Sequence, residues 1–226
     1  MFIFRPLVNA LRYPRSCHLH TVSSRSTVQD QLRSVLRETA QPVAVVASRP
    51  DGVTASLHGA TLSSFTSIAM DPHPLVSFAL RLPSRMSASL KDAYSRGDAL
   101  LTISLLSSIQ KDVAIMFSRP DLYPAPFQSV ECELTPENLP KFPHALGALV
   151  CRLVSPAVPL YDMNFLDALM REGQSRPLAV VPPLSAGSVI SELFIAQVLR
   201  VEAGSGVSPL LYYRRKYTTC VDPKRP

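Results

Sequence analysis

The chain has 226 residues, 46% of them hydrophobic and 18% charged, which is enough to bury one substantial core within the size of a single domain. Its formal net charge of +6 owes most to Arg5, Arg12, Arg15 and Arg25, which precede the first acidic residue, Asp30; without those four the remainder carries +2, too little for an electrostatic footprint on nucleic acid. No stretch is long, continuous and charge-free enough to read as a membrane span, and Cys17, Cys132, Cys151 and Cys220 form no C-x-x-C pair, which argues against a disulfide framework or a zinc site and suits a reducing compartment.

The first segment is Arg-bearing, Ser-bearing and free of acid, with Phe2, Phe4, Leu7, Val8 and Leu11 spaced for one face of a short helix. It reads as a targeting presequence over residues 1–26, directing the chain to the mitochondrial matrix, with cleavage between Ser16 and Thr27. The mature domain is then 27–226. An ordinary basic tail is the alternative.

Thr27-Val28-Gln29-Asp30 offers a helix cap, and Val28, Leu32, Val35 and Leu36 fall on one face of the helix that follows, which stops at Gln41-Pro42. Val43-to-Ser48 is a short apolar run of strand type. The turn at Arg49-Pro50-Asp51-Gly52 predicts that Val53-to-Ala60 returns as its hairpin partner. A run of hydroxyls, expected as a loop, occupies Thr61 to Ser67, and Asp71-Pro72-His73-Pro74 breaks the chain before a strand at Leu75-to-Leu80. A short helix is expected over Ser84-to-Arg96, a strand over Leu100-to-Leu106, and a helix over Ser107-to-Ser118, stopped by Arg119-Pro120. After a Pro-rich excursion to Pro143 come a strand at Ala148-to-Val154, a brief helix at Asn164-to-Arg171, a long strand at Leu193-to-Val201, and a last strand or docking tail at Leu210-to-Tyr217. The order lacks regular βαβ alternation. It predicts a mainly β fold, an antiparallel barrel with peripheral helices.

The chemistry concentrates in Gly59-to-Phe78 and the segment after it. Hydroxyls and backbone N–H groups in a tight loop make a donor-rich concavity suited to a phosphate or to the polar edge of a heteroaromatic ring. Thr61, Ser63 and Ser64 supply the donors and Phe65 an apolar wall, with no acidic residue between His58 and Met70. Arg81, Ser84 and Arg85 form a second cluster in which guanidiniums can clamp a phosphate, although Ser before a helix is also ordinary capping. His58 and His73 flank the hydroxyl run and read as surface residues, with the edge of a bound ring as the alternative, and His144 lies in a Pro-bordered loop with no ligand set nearby. Tyr212, Tyr213, Arg214 and Arg215 read as a strand edge with a solvated basic face, or as a cover for a ring or phosphate across a dimer.

These motifs resemble the flavin reductase-like family. The match runs in order through Pro42-to-Val46, Thr61-to-Ser67, Asp71-Pro72, Leu75-to-Phe78 and Ser84, then Leu105-to-Gln110, Phe117 and Phe194-to-Val198. The resemblance implies an FMN-binding split antiparallel β-barrel, with FAD as the alternative flavin and NADH or NADPH as hydride donor. It also implies a homodimer with flavin near the subunit interface, and reduced flavin passed to a partner oxygenase. Thr61, Ser63, Ser64, Phe65, Arg81, Ser84 and Arg85 are the expected cofactor-binding residues. No metal and no dedicated general base is expected, because the cofactors carry the hydride chemistry. One departure stands out: where many relatives have Gly-Asp-His before the late strand, this chain has Val189-Ile190-Ser191. The missing histidine motivates an alternative, a flavin-binding carrier or assembly protein without efficient reductase activity. A third reading, heme or a pyridoxal-type phosphate in the same barrel, lacks a credible axial His or Cys.

Overall fold

The computed structural model describes residues 27–49, 57–170 and 190–220. The expected presequence, the turn beyond Arg49 and residues 171–189 lie outside them. The chain divides into two units after Leu36. In the first, α1 (Val28–Leu36) begins as its sequence predicts: the Asp30 N–H donates to Thr27 Oγ1 at 3.2 Å, and the Thr27 hydroxyl donates to the Asp30 carboxylate at 2.8 Å.

The second unit contains β1 (Gln41–Pro42), β2 (Ala44–Ser48), β3 (His58–Leu62), β4 (Thr66–Ala69), β5 (Leu75–Arg81), α2 (Arg85–Ser95), β6 (Leu100–Leu105) and α3 (Lys111–Ser118). It continues through β7 (Glu133–Leu134), β8 (Pro140–Lys141), β9 (Gly147–Leu153), β10 (Val158–Pro159), α4 (Met163–Met170), β11 (Ser191–Ala203), β12 (Leu211–Tyr213) and β13 (Lys216–Thr218). The main sheet has the order β3-β2-β6-β9-β11-β5-β4 and is antiparallel throughout, with β10 added beside the start of β11. Its two end strands, β3 and β4, are consecutive in sequence and joined only by residues 63–65, so the sheet curls back on itself. This is the expected split antiparallel barrel with peripheral helices.

Two cores explain which residues form which strand. Inside the barrel, Phe78 and Phe194 are opposed across β5 and β11, their rings stacked 5.4 Å apart, and Met86 and Leu90 of α2 close over them. Outside, α3 covers a second cluster in which Phe117 lies edge-on to Phe127 (4.8 Å) and Phe142 (5.2 Å). β2 lies between them: Ala44 and Val46 face the first core, Val43 and Val45 the second, and all of Ala44–Ser48 is buried. A strand covered on both faces reads as a continuous apolar run rather than an alternation.

Two expectations change. The hydroxyl run is not a loop: Thr61 lies inside β3, a three-residue connector follows, and Thr66–Ala69 is the sheet's edge strand β4. Nor is Leu210-to-Tyr217 a single strand. β12 and β13 form a hairpin turning at Arg214 and Arg215, both with positive φ (47° and 63°), and its Tyr212 and Tyr217 pack against the second core.

Candidate active site

Side chains at i and i+2 of a strand share a face, and this decides what β3 can offer. Gly59 lies against α3 so closely that a Cβ there would stand 2.7 Å from Phe117 Cε1. Thr61, two residues on, donates its hydroxyl to the Ala114 carbonyl of α3 at 2.7 Å. Its proton is therefore committed to fastening the helix, and only its acceptor capacity remains. Ser63 is exposed in the connector. Ser64 Oγ accepts from the Ala79 N–H at 2.9 Å and donates to the Ala79 carbonyl at 3.1 Å, and Phe65 packs onto the inner core. The connector is thus held against β5 two residues before Arg81, about 7 Å along a strand.

Arg81 ends β5 and is exposed; its register partner is Ser191, the first residue of β11. The Leu82 N–H donates to the Ile190 carbonyl at 2.9 Å, which carries the chain into α2 beside the start of the late strand. Ser84 caps α2, its hydroxyl accepting the Ser87 N–H at 3.2 Å. That leaves the N–H groups of Arg85 and Met86 at the helix's positive end without an intrahelical partner. The Arg85 guanidinium donates to the Pro124 carbonyl at 2.8 Å, pinning the Pro-rich excursion over the helix start.

The structure therefore brings Ser63, Ser64, Arg81, Ser84, Arg85 and Ser191 to one end of β5, and sets Thr61 on the face turned to α3. Two guanidiniums, a helix N-terminus and exposed hydroxyls make an anion-favouring edge whose chemistry fits a phosphate. The apolar wall fits a flat ring. Ser191 adjoins this edge as the register partner of Arg81.

Sequence reasoning missed one group. Glu192 is buried, bonded by the Ser87 hydroxyl and by Lys91 Nζ at 2.8 Å. The signal was present, because Glu192 is in phase with inward Phe194 and Ala196 on the same strand.

Other polar places lie apart. A shallow cleft among Lys141, His144, Gly147 and Glu202 is at the far end of β11 from Ser191, with Lys141 and Glu202 paired at 2.7 Å. Burial pushes the Cys151 thiol up to about 12, so it stays protonated in the barrel wall. Among the described residues no group of His, Cys, Asp or Glu is placed to hold a metal ion, and no helix is long and apolar enough to cross a membrane.

The fold is similar to that of the styrene monooxygenase flavin reductase SMOB from Pseudomonas putida S12, at 24% identity, a TM-score of 0.60, and coverage of 85% of this chain and 99% of that one. It is similar to nitrilotriacetate monooxygenase component B from Mycobacterium thermoresistibile, at 20% identity, TM-score 0.61, and coverage of 88% and 89%. It is also similar to the Streptomyces globisporus C-1027 NADH:FAD oxidoreductase SgcE6, solved with NAD and FAD fragments, at 19% identity, TM-score 0.59, and coverage of 88% and 96%. The flavin reductase like domain model matches residues 36–220, from the end of α1 through β13. The chain therefore belongs to the flavin reductase-like domain family.

Proposed function

We propose that this protein is an NAD(P)H-dependent flavin reductase that binds FMN at the β5–α2 edge and hands reduced flavin to a partner oxygenase. The observation that carries the reading is the convergence of Arg81, Ser84 and Arg85 beside the β3–β4 connector, within a chain of this family. A compact cradle of two guanidiniums and a helix N-terminus suits a terminal phosphate dianion, which favours FMN over FAD. When bound, the flavin supplies hydride acceptance. The chain's own residues bind the phosphate, hold the ring against Phe65 and keep the reacting faces oriented. The printed names of the similar structures support the oxygenase partner, since two are components of monooxygenase systems, and SgcE6 supports a nicotinamide donor.

A homodimer is part of this reading, supported by exposed apolar side chains on the sheet: Ile68 and Met70 at β4, and Leu199 and Val201 on β11. So is the mitochondrial matrix as its location, supported by the acid-free, Arg-bearing first 26 residues. Ser191 favours a second reading, a flavin-binding carrier or assembly protein of the same fold.

Anaerobic mixing of the presequence-free protein with FMN and NADH or NADPH tests the choice. Loss of oxidised-flavin absorbance well above a no-protein control supports the reductase. Tight FMN binding with bleaching at the control rate supports the carrier, and no FMN binding overturns both.

A further inference from the structure

The inward positions at the start of β11 are Glu192, Phe194 and Ala196, so a carboxylate heads an otherwise apolar row. Glu192 is 5% exposed. A buried carboxylate is tolerated only when its charge and lone pairs are met. Both donors come from α2: the Ser87 hydroxyl to Oε2 and Lys91 Nζ to Oε1. Ser87 also gives its backbone N–H to the Ser84 hydroxyl, so one residue links the carboxylate to the helix cap. On the strand side, Glu192 pairs in register with Leu80 while its neighbour Ser191 pairs with Arg81. The bonds therefore tie α2 to β11, the strand that is paired with β5 at Arg81.

We propose that Glu192 is a positioning residue for the flavin phosphate. It fixes the N-terminus of α2 against the end of β5, and Lys91 cancels its charge so that the anion-favouring edge keeps its positive character. The role rests on the FMN reading above. It makes two demands beyond core packing: the effect must fall on the phosphate rather than on the ring, and a bare carboxylate must be worse than a neutral amide.

Riboflavin has the FMN ring without the phosphate, so the ratio of the two affinities isolates the phosphate. The experiment measures both by flavin-fluorescence titration on the full chain and on Glu192→Ala, Glu192→Gln and Lys91→Met, with the melting temperature of each. The wild type is expected to prefer FMN. Glu192→Ala should shrink that preference about tenfold with riboflavin affinity unchanged, the scale of one charge-assisted hydrogen bond. Glu192→Gln, which still accepts from Ser87, should keep most of it. Lys91→Met, which leaves the carboxylate's charge uncompensated while Ser87 still donates to it, should lose about as much as the alanine variant. If Glu192→Ala does not fold, the glutamine and Lys91 variants carry the test.

Equal weakening of FMN and riboflavin, or an unchanged ratio in folded variants, overturns the role and leaves Glu192 as core structure. A wild type that binds FMN no better than riboflavin also overturns it. A wild type that binds neither flavin overturns the FMN reading, and this role with it.

Discussion

Ser64 and Ala79 exchange two hydrogen bonds through one hydroxyl, which accepts the Ala79 N–H at 2.9 Å and donates to its carbonyl at 3.1 Å. A side chain here does the work of a strand partner, stitching the β3–β4 connector to β5 where the sheet curls. The same hydroxyl is one of the residues proposed to face the flavin, so its structural task sets how it responds to substitution.

Ser64→Ala is expected to lower stability by about 1 kcal/mol, since both orphaned groups are partly accessible to water. Thermal melting checks the loss, and FMN titration should show a smaller effect than removal of Arg81. A variant as stable as wild type but unable to bind FMN would mark Ser64 as a ligand first.

Arg81→Ala should weaken FMN roughly tenfold or more, the scale of a charge-assisted bond to a phosphate, and leave riboflavin unchanged. Arg85→Ala should do the same and also release the Pro124 carbonyl, making the 120–128 segment more open to limited proteolysis. Titration of both flavins, with a protease time course, separates the two arginines.

Ser191→His places an imidazole at the register partner of Arg81. The expected outcome is a rise in kcat for NAD(P)H oxidation with FMN affinity little changed. Stopped-flow reduction measures it directly, and an unchanged rate would show that Ser191 does not limit the hydride step.

The far end of β11 carries an acid-sensitive network. The Arg200 guanidinium holds the Glu137 carboxyl below the ordinary 4.5, and the Lys141 ammonium, then Arg200, holds Glu202 below it. Lowered folded-state values mean that this stabilisation is present above pH 4.5 and is lost as pH falls through the folded values. Glu202→Gln should therefore flatten the fall in melting temperature below pH 4.5, with the wild-type and variant curves separating as pH rises from that region.

Much of the barrel was legible because its strands and helices announce themselves by period. α2, β6 and β9 lie within a residue of their expected bounds, while α3 ends at Ser118 as expected but begins at Lys111, after a 3-10 turn over Ser108–Gln110, rather than at Ser107. β4 was hidden because its exposed positions carry Thr66, Ser67 and Ile68, an edge pattern without apolar alternation. The β12–β13 hairpin was hidden because its turn is Arg214-Arg215 rather than the Asn or Gly that positive φ normally selects. The site was legible in residue type more than in role: the sequence grouped Arg81, Ser84 and Arg85, but only coordinates show the Thr61 proton spent on Ala114. Glu192 is legible only through strand phase, which turns it inward with Phe194 and Ala196.

β2 is walled on one side by the barrel interior and on the other by the α3 cluster, and it is paired with β3 and β6 along both edges. Its amides can meet solvent only when both layers part, so exchange at Val45 and Val46 should report global opening. The α3 layer and the β12–β13 hairpin pack on the second core alone. Exchange in the α3 layer and in the β12–β13 hairpin is therefore expected to run ahead of exchange in β2.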